Sequence, residues 1–151
     1  MKHIIHSHCA GDKALPPILQ KEIITAITAI TIKPAKGKAP KIRDSLLDSL
    51  KGLGWSAKVP VSKGSGMTIT SMKDDVGLCL QTGNMARMYA DLIKLQTMYL
   101  DNSIRSAAII IPSSPVAKLL GSNVAQANRL ERELNIFKKA YHVPTVIFAL
   151  E

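Results

Sequence analysis

Aromatic residues are scarce: one Trp, three Tyr and two Phe in 151 residues. That excludes a stacking platform for single-stranded nucleic acid, which needs several aromatic faces along one groove. Cysteine is rarer, with only Cys9 and Cys79. Two distant cysteines make no disulfide framework and no close-spaced metal motif, so reduced thiols and a cytoplasmic setting are expected. No apolar run approaches the roughly 20 residues of a membrane span, so no membrane partner is expected. Met1–Cys9, short and carrying His3, His6 and His8, does not read as a secretory signal. Acids are also few, 11 against 20 Lys and Arg, for a formal net charge of +9. What remains, 46% hydrophobic and 21% charged residues, suits a folded domain and excludes disorder of the whole chain. Residues 1–151 read as a single domain.

An excess of positive charge on a small domain points to nucleic acid before an anionic membrane surface. The excess is concentrated. Residues 1–63 carry a net +7 and residues 64–151 a net +2. The stretch Thr31–Arg43 holds Lys33, Lys36, Lys38, Lys41 and Arg43 with no acid, and Pro34, Gly37 and Pro40 mark it as a loop. Point charges on such a loop suit phosphate contacts that carry no sequence information.

The pattern predicts a first strand over His3–His8, a loop over Cys9–Leu15, and a helix started by Pro16–Pro17. A second amphipathic helix is predicted over Arg43–Leu53, with Leu46, Leu47 and Leu50 inward. Three short β runs follow, Trp55–Val61, Met67–Met72 and Val76–Gln81, and read as a meander. Asn84 caps a helix to about Leu100, on whose outer face Arg87, Asp91 and Lys94 are spaced to pair. Ser106–Ile111 is a continuous apolar run, expected to be a central strand covered on both faces and closed by Pro112. A short helix from Pro115, a longer one over Asn123–Lys139 and a strand over Val143–Leu150 complete a β-α-α-βββ-α-β-α-α-β order. That order predicts an α/β domain, a mixed sheet with helices on both faces.

His3, His6, His8 and Cys9 are the densest group of metal-type ligands, but alternation on a strand sends His3 to the other face from His6 and His8. The meander and its flanks offer a second candidate site. Metal-dependent phosphodiester hydrolysis needs two or three carboxylates to hold Mg²⁺ and a polar group to orient water. An acid near one strand end with a dyad of alternate residues on the next would supply them, and alternation puts Cys79 and Gln81 on one face. Asp74 and Asp75 lie in the hairpin before them, and Glu22 on the first helix is the remaining acid able to face the sheet.

These residues follow a known order: His6-Ser7-His8, Glu22-Ile23, Gly54-Trp55, then Val76-Gly77-Leu78-Cys79-Leu80-Gln81-Thr82-Gly83-Asn84 into Ala86-Arg87-Met88-Tyr89-Ala90-Asp91-Leu92, then Ile111-Pro112 and Val143-Pro144. The chain resembles the BglII/BamHI-type restriction endonucleases of the PD-(D/E)XK fold over nearly its whole length, most specifically in segment 76–92. The resemblance implies a restriction-endonuclease-like fold, a homodimer acting on double-stranded DNA, and Mg²⁺ held by an Asp and by the Glu of a Glu-x-Gln dyad. Gln81 matches the dyad's Gln, but Cys79 stands at the Glu position and Thr70 at the Asp position.

Three readings follow. In the first, the domain binds duplex DNA through Lys33, Lys36, Lys38, Lys41, Arg43, Asn84 and Arg87, its Mg²⁺-dependent activity weakened or lost with the two acids. In the second, Glu22, Asp74 and Asp75 hold the metal in a shifted register and, with Gln81, form an active endonuclease. In the third, the domain is a protein-interaction module whose charge only keeps it in solution. The first is the expectation.

Overall fold

The computed structural model describes residues 1–151. In chain order it has β1 (His3–His8), α1 (Gly11–Ala14), α2 (Pro17–Thr28), α3 (Ala39–Gly52), β2 (Val59–Pro60), β3 (Thr68–Ile69), β4 (Ser71–Lys73), β5 (Val76–Leu80), α4 (Met85–Leu100), β6 (Ser106–Pro112), α5 (Ser114–Leu120), α6 (Ala127–Ile136) and β7 (Thr145–Leu150). Five strands form one sheet in the order β1-β7-β6-β5-β4. The inner three run parallel, while β1 and β4 are antiparallel edges. This is the mixed, helix-flanked α/β sheet that the pattern predicted.

Local differences have physical causes. The meander divides: β2 pairs only with β3 in a separate ribbon, and the run Met67–Met72 breaks at Thr70 before β4 joins the main sheet. α3 begins at Ala39, earlier than predicted, because Pro40 sits in its first turn where no internal N–H bond is lost. Lys41 and Arg43 are therefore helical rather than part of the loop. Pro112 extends β6 instead of ending it, opposite Leu150. The loop expected over Cys9–Leu15 contains α1, and α6 is shorter than Asn123–Lys139.

Every residue of β5, β6 and β7 is buried, as expected for strands covered on both faces. Alternation sorts them into two cores. Val76, Leu78 and Leu80 join Phe148 and face Leu19, Ile23 and Ile27 of α2 and Ile42, Leu46 and Leu50 of α3. Cys79 joins Ile109 and Ile147 under Met88, Leu92 and Leu95 of α4 and Leu130 of α6. Gly77 lets α4 approach this second face: a Cβ there would lie 3.1 Å from the Leu95 side chain and 3.2 Å from that of Ile104.

Two bonds orient α3 against the β4–β5 hairpin. Arg43 Nη1 donates to Leu80 O at 3.2 Å, and Lys73 Nζ donates to Leu53 O at 2.7 Å. The start of α3 thus meets the carboxyl end of β5, and its last turn meets the other end. The two ends gather different chemistry.

Candidate nucleic-acid interface

At the carboxyl end of β5, Gln81 continues the ladder, its N–H donating to Ile110 O at 2.9 Å. Thr70 sits alongside. Its N–H donates to Leu78 O at 3.1 Å, and its Oγ1 accepts the Leu80 N–H at 3.0 Å. Those bonds bracket Cys79, which is buried beneath α4, while Thr70 and Gln81 line the open side. α4 covers them from one side with Arg87, Asp91 and Lys94, which recur at helical spacing beside its buried stripe. Gln81 Nε2 donates to Asp91 Oδ2 at 2.9 Å, Lys94 Nζ to Asp91 Oδ1 at 3.2 Å, and Gly83 N–H to Gln81 Oε1 at 3.1 Å. Arg43, Lys58, Thr68 and Thr70 complete a cleft of about 320 Å³ in which Asp91 is the one carboxylate among four cationic side chains.

Burial raises the Asp91 pKa, against the opposing pull of Lys94, the Gln81 hydrogen bond and Arg43. Burial, with the Asp91 charge beside it, also pushes the Cys79 thiol well up, so it stays protonated. This donor set does not fit the Mg²⁺ that the fold would imply. Mg²⁺ takes hard oxygen ligands in a near-octahedral shell. Here Asp91 has both oxygens engaged, Thr70 Oγ1 is occupied by a backbone N–H, and Cys79 offers a protonated sulfur. Nowhere in the chain do three His, Cys, Asp or Glu residues group so as to hold a metal ion.

Glu22, Asp74 and Asp75 lie at the opposite end of β5, which five residues separate from Gln81 by roughly 16 Å at strand rise. Glu22 accepts Lys73 Nζ at 2.7 and 2.9 Å and Trp55 Nε1 at 3.0 Å. It is a half-buried tie between α2, β4 and the segment after α3. Asp74 is exposed at the tip of the β4–β5 hairpin with φ 52°, and Asp75 pairs with Arg105 at 3.3 Å. The structure does not bring these acids to Gln81.

The histidine group also disperses. His6 Nδ1 meets Glu131 at 3.1 Å, while His8 Nε2 lies 2.9 Å from Tyr141 O and 3.2 Å from Cys9 Sγ. Since a carbonyl only accepts, His8 Nε2 carries the proton in that bond and has no lone pair to offer a metal there.

Lys33, Lys36, Lys38 and Lys41 are exposed, and none forms an ion pair. They belong to the stretch that joins α2 to the first turn of α3, the helix that brings Arg43 to the cleft. Asn84 is exposed and caps α4, accepting the Ala86 N–H at 2.8 Å. Arg87, also exposed, lines the cleft. Sequence reasoning missed Lys58, Thr68, Asp91 and Lys94 as cleft residues. The Asp91–Lys94 spacing was visible, but it read as an outer-face pair; α4 instead turns it inward, leaving Asp91 14% exposed.

The mixed five-stranded sheet, with antiparallel edges and helices on both faces, is a restriction-endonuclease-like fold by its match to solved structures. The fold is that of restriction endonuclease BglII complexed with a DNA 16-mer, with a TM-score of 0.86 at 18% identity, covering 99% of this chain and 76% of that one. Free BglII is similar at a TM-score of 0.71 and 20% identity, covering 100% of this chain and 80% of that one. Among proteins with curated descriptions, none matches. The model of the family "Restriction endonuclease BglII/BglIII" matches residues 3–150, and the chain belongs to that family. No helix is long and apolar enough to cross a membrane.

Proposed function

We propose that this protein binds double-stranded DNA at the carboxyl end of β5 and has lost Mg²⁺-dependent cleavage. The observation that carries the reading is the cleft's charge: Arg43, Lys58, Arg87 and Lys94 around one engaged carboxylate, with no set of ligands for a divalent cation. Such a cleft attracts polyanions and leaves a hydrolytic metal without a seat. The unpaired lysines of the 31–41 stretch extend it along a backbone. Family membership, and the BglII relative solved with DNA, support the choice of partner.

The test is titration of a short labelled duplex at several salt concentrations. Affinity should fall steeply with salt, as each phosphate contact releases about 0.9 counterions. Salt-independent binding, or none at about 50 mM salt, would contradict the reading.

A second copy of the chain is the protein partner in this proposal. Ile93 and Leu100 on α4 and Phe137 at the end of α6 are exposed around an apolar groove of about 380 Å³. Covering that surface favours association. The free thiols of Cys9 and Cys79 suit a reducing cytoplasm, and 1–151 is taken to act as one domain.

A further inference from the structure

Lys94 is held by a chain of bonds that the exposed cations of the cleft, Lys58 and Arg87, lack. Its ammonium is fixed on Asp91 Oδ1, while Asp91 Oδ2 is held by Gln81, whose own Oε1 is pinned by the Gly83 N–H. This chain of bonds runs from the backbone to the ammonium and leaves Lys94 with two further N–H donors. Arg43 is likewise anchored by one Nη1 bond to Leu80 O, with the rest of its guanidinium unengaged. Lys58 and Arg87 are exposed at the rim. Four cations around one carboxylate leave the cleft short of anionic charge, and a volume near 320 Å³ admits a tetrahedral phosphate with its waters.

We infer that this cleft seats a single DNA phosphate without any divalent cation, the pinned ammonium of Lys94 and the Arg43 fork supplying the positive charge a metal would otherwise bring. The inference rests on the DNA-binding reading and adds how one phosphate is held. Asp91 acts as a positioning residue: it touches no phosphate, and it holds the group that does. A fixed donor reaches its phosphate with less loss of side-chain freedom than a free lysine, so Lys94 contributes more than any one lysine of the 31–41 stretch.

The experiment measures duplex affinity by fluorescence anisotropy, in EDTA and in Mg²⁺ at matched ionic strength, for the unchanged chain, Lys94→Gln, Lys58→Gln and Lys36→Gln. A parallel arm titrates inorganic phosphate and follows thermal stability. The expected result is affinity equal within twofold with and without Mg²⁺ and a loss of about tenfold for Lys94→Gln. Smaller losses are expected for Lys58→Gln and Lys36→Gln, with stabilisation by phosphate that Lys94→Gln abolishes. Lys58 is exposed and makes no hydrogen bond, so its variant tests the cleft even where Lys94→Gln fails to fold. Duplex binding that Lys94→Gln, or in its absence Lys58→Gln, leaves unchanged overturns the phosphate seat while DNA binding stands. Phosphate stabilisation lost in the cleft variants, without any duplex binding, overturns the DNA reading while the seat stands. Tightening by Mg²⁺ in the unchanged chain overturns the metal-free claim.

Discussion

Asp91 and Gln81 are joined by a 2.9 Å hydrogen bond between the first half of α4 and the carboxyl end of β5. Through it, the one carboxylate of the cleft is committed to holding protein groups, Gln81 on one oxygen and Lys94 on the other. Asp91 is thereby a strut rather than a metal ligand.

Burial raises the Asp91 pKa above its ordinary 3.8, so the folded state holds that proton more tightly than the unfolded chain does. Its contribution to stability therefore falls as pH rises from about 3.8 through the raised folded value. Asp91→Asn removes this dependence. Urea unfolding across that window should show the stability difference, variant minus unchanged chain, growing with pH. A difference independent of pH would contradict the assignment.

Glu22 is expected to act on stability and not on DNA binding. Replacing it with Gln weakens a half-buried pair with Lys73 and a bond from Trp55, at an expected cost of about 1–3 kcal/mol. Thermal unfolding should register that loss, while duplex affinity measured below the transition stays unchanged. Reduced affinity in the folded variant would return Glu22 to the functional site.

The two thiols should differ in reactivity. Cys9 is exposed and Cys79 buried, with its pKa raised by burial and by Asp91. Ellman's reagent should modify one thiol in the native protein and the second only after denaturation. Cys9→Ser should abolish the fast phase. Rapid reaction of both would place Cys79 in solvent.

Neutralising Lys33, Lys36 and Lys38 together should reduce the slope of log affinity against log salt by about 2–3. An unchanged slope would remove this stretch from the interface.

Much of the fold was legible. Ser106–Ile111 and Val143–Leu150 announced buried strands because parallel strands covered on both faces need unbroken apolar runs. Asn84 announced α4 through its cap. The divided meander was not legible, since the break at Thr70 depends on its hydroxyl taking the Leu80 N–H, a pairing made across the sheet. Part of the cleft was legible too. Gln81 follows from the strand pattern, Arg43 and Arg87 from the basic residues of the sequence, and Thr70 only from the family resemblance. Asp91 and Lys94 were recognisable as a pair but not as lining, because a helix pattern shows which residues are neighbours, whereas the close approach at Gly77 decides what they face. The converse holds for the acids: Asp74 and Asp75, close to Gln81 in sequence, lie at the far end of the strand, and Glu22, distant in sequence, is tied there to Lys73.

In this reading the protein holds DNA without cutting it. The most direct measurement incubates supercoiled plasmid with increasing protein in Mg²⁺ or Mn²⁺, dividing each sample between a native gel and a gel run after removal of the protein. Retardation is expected on the first and fully intact supercoiled plasmid on the second. Metal-dependent nicking or linearisation that disappears with Gln81→Ala would contradict it.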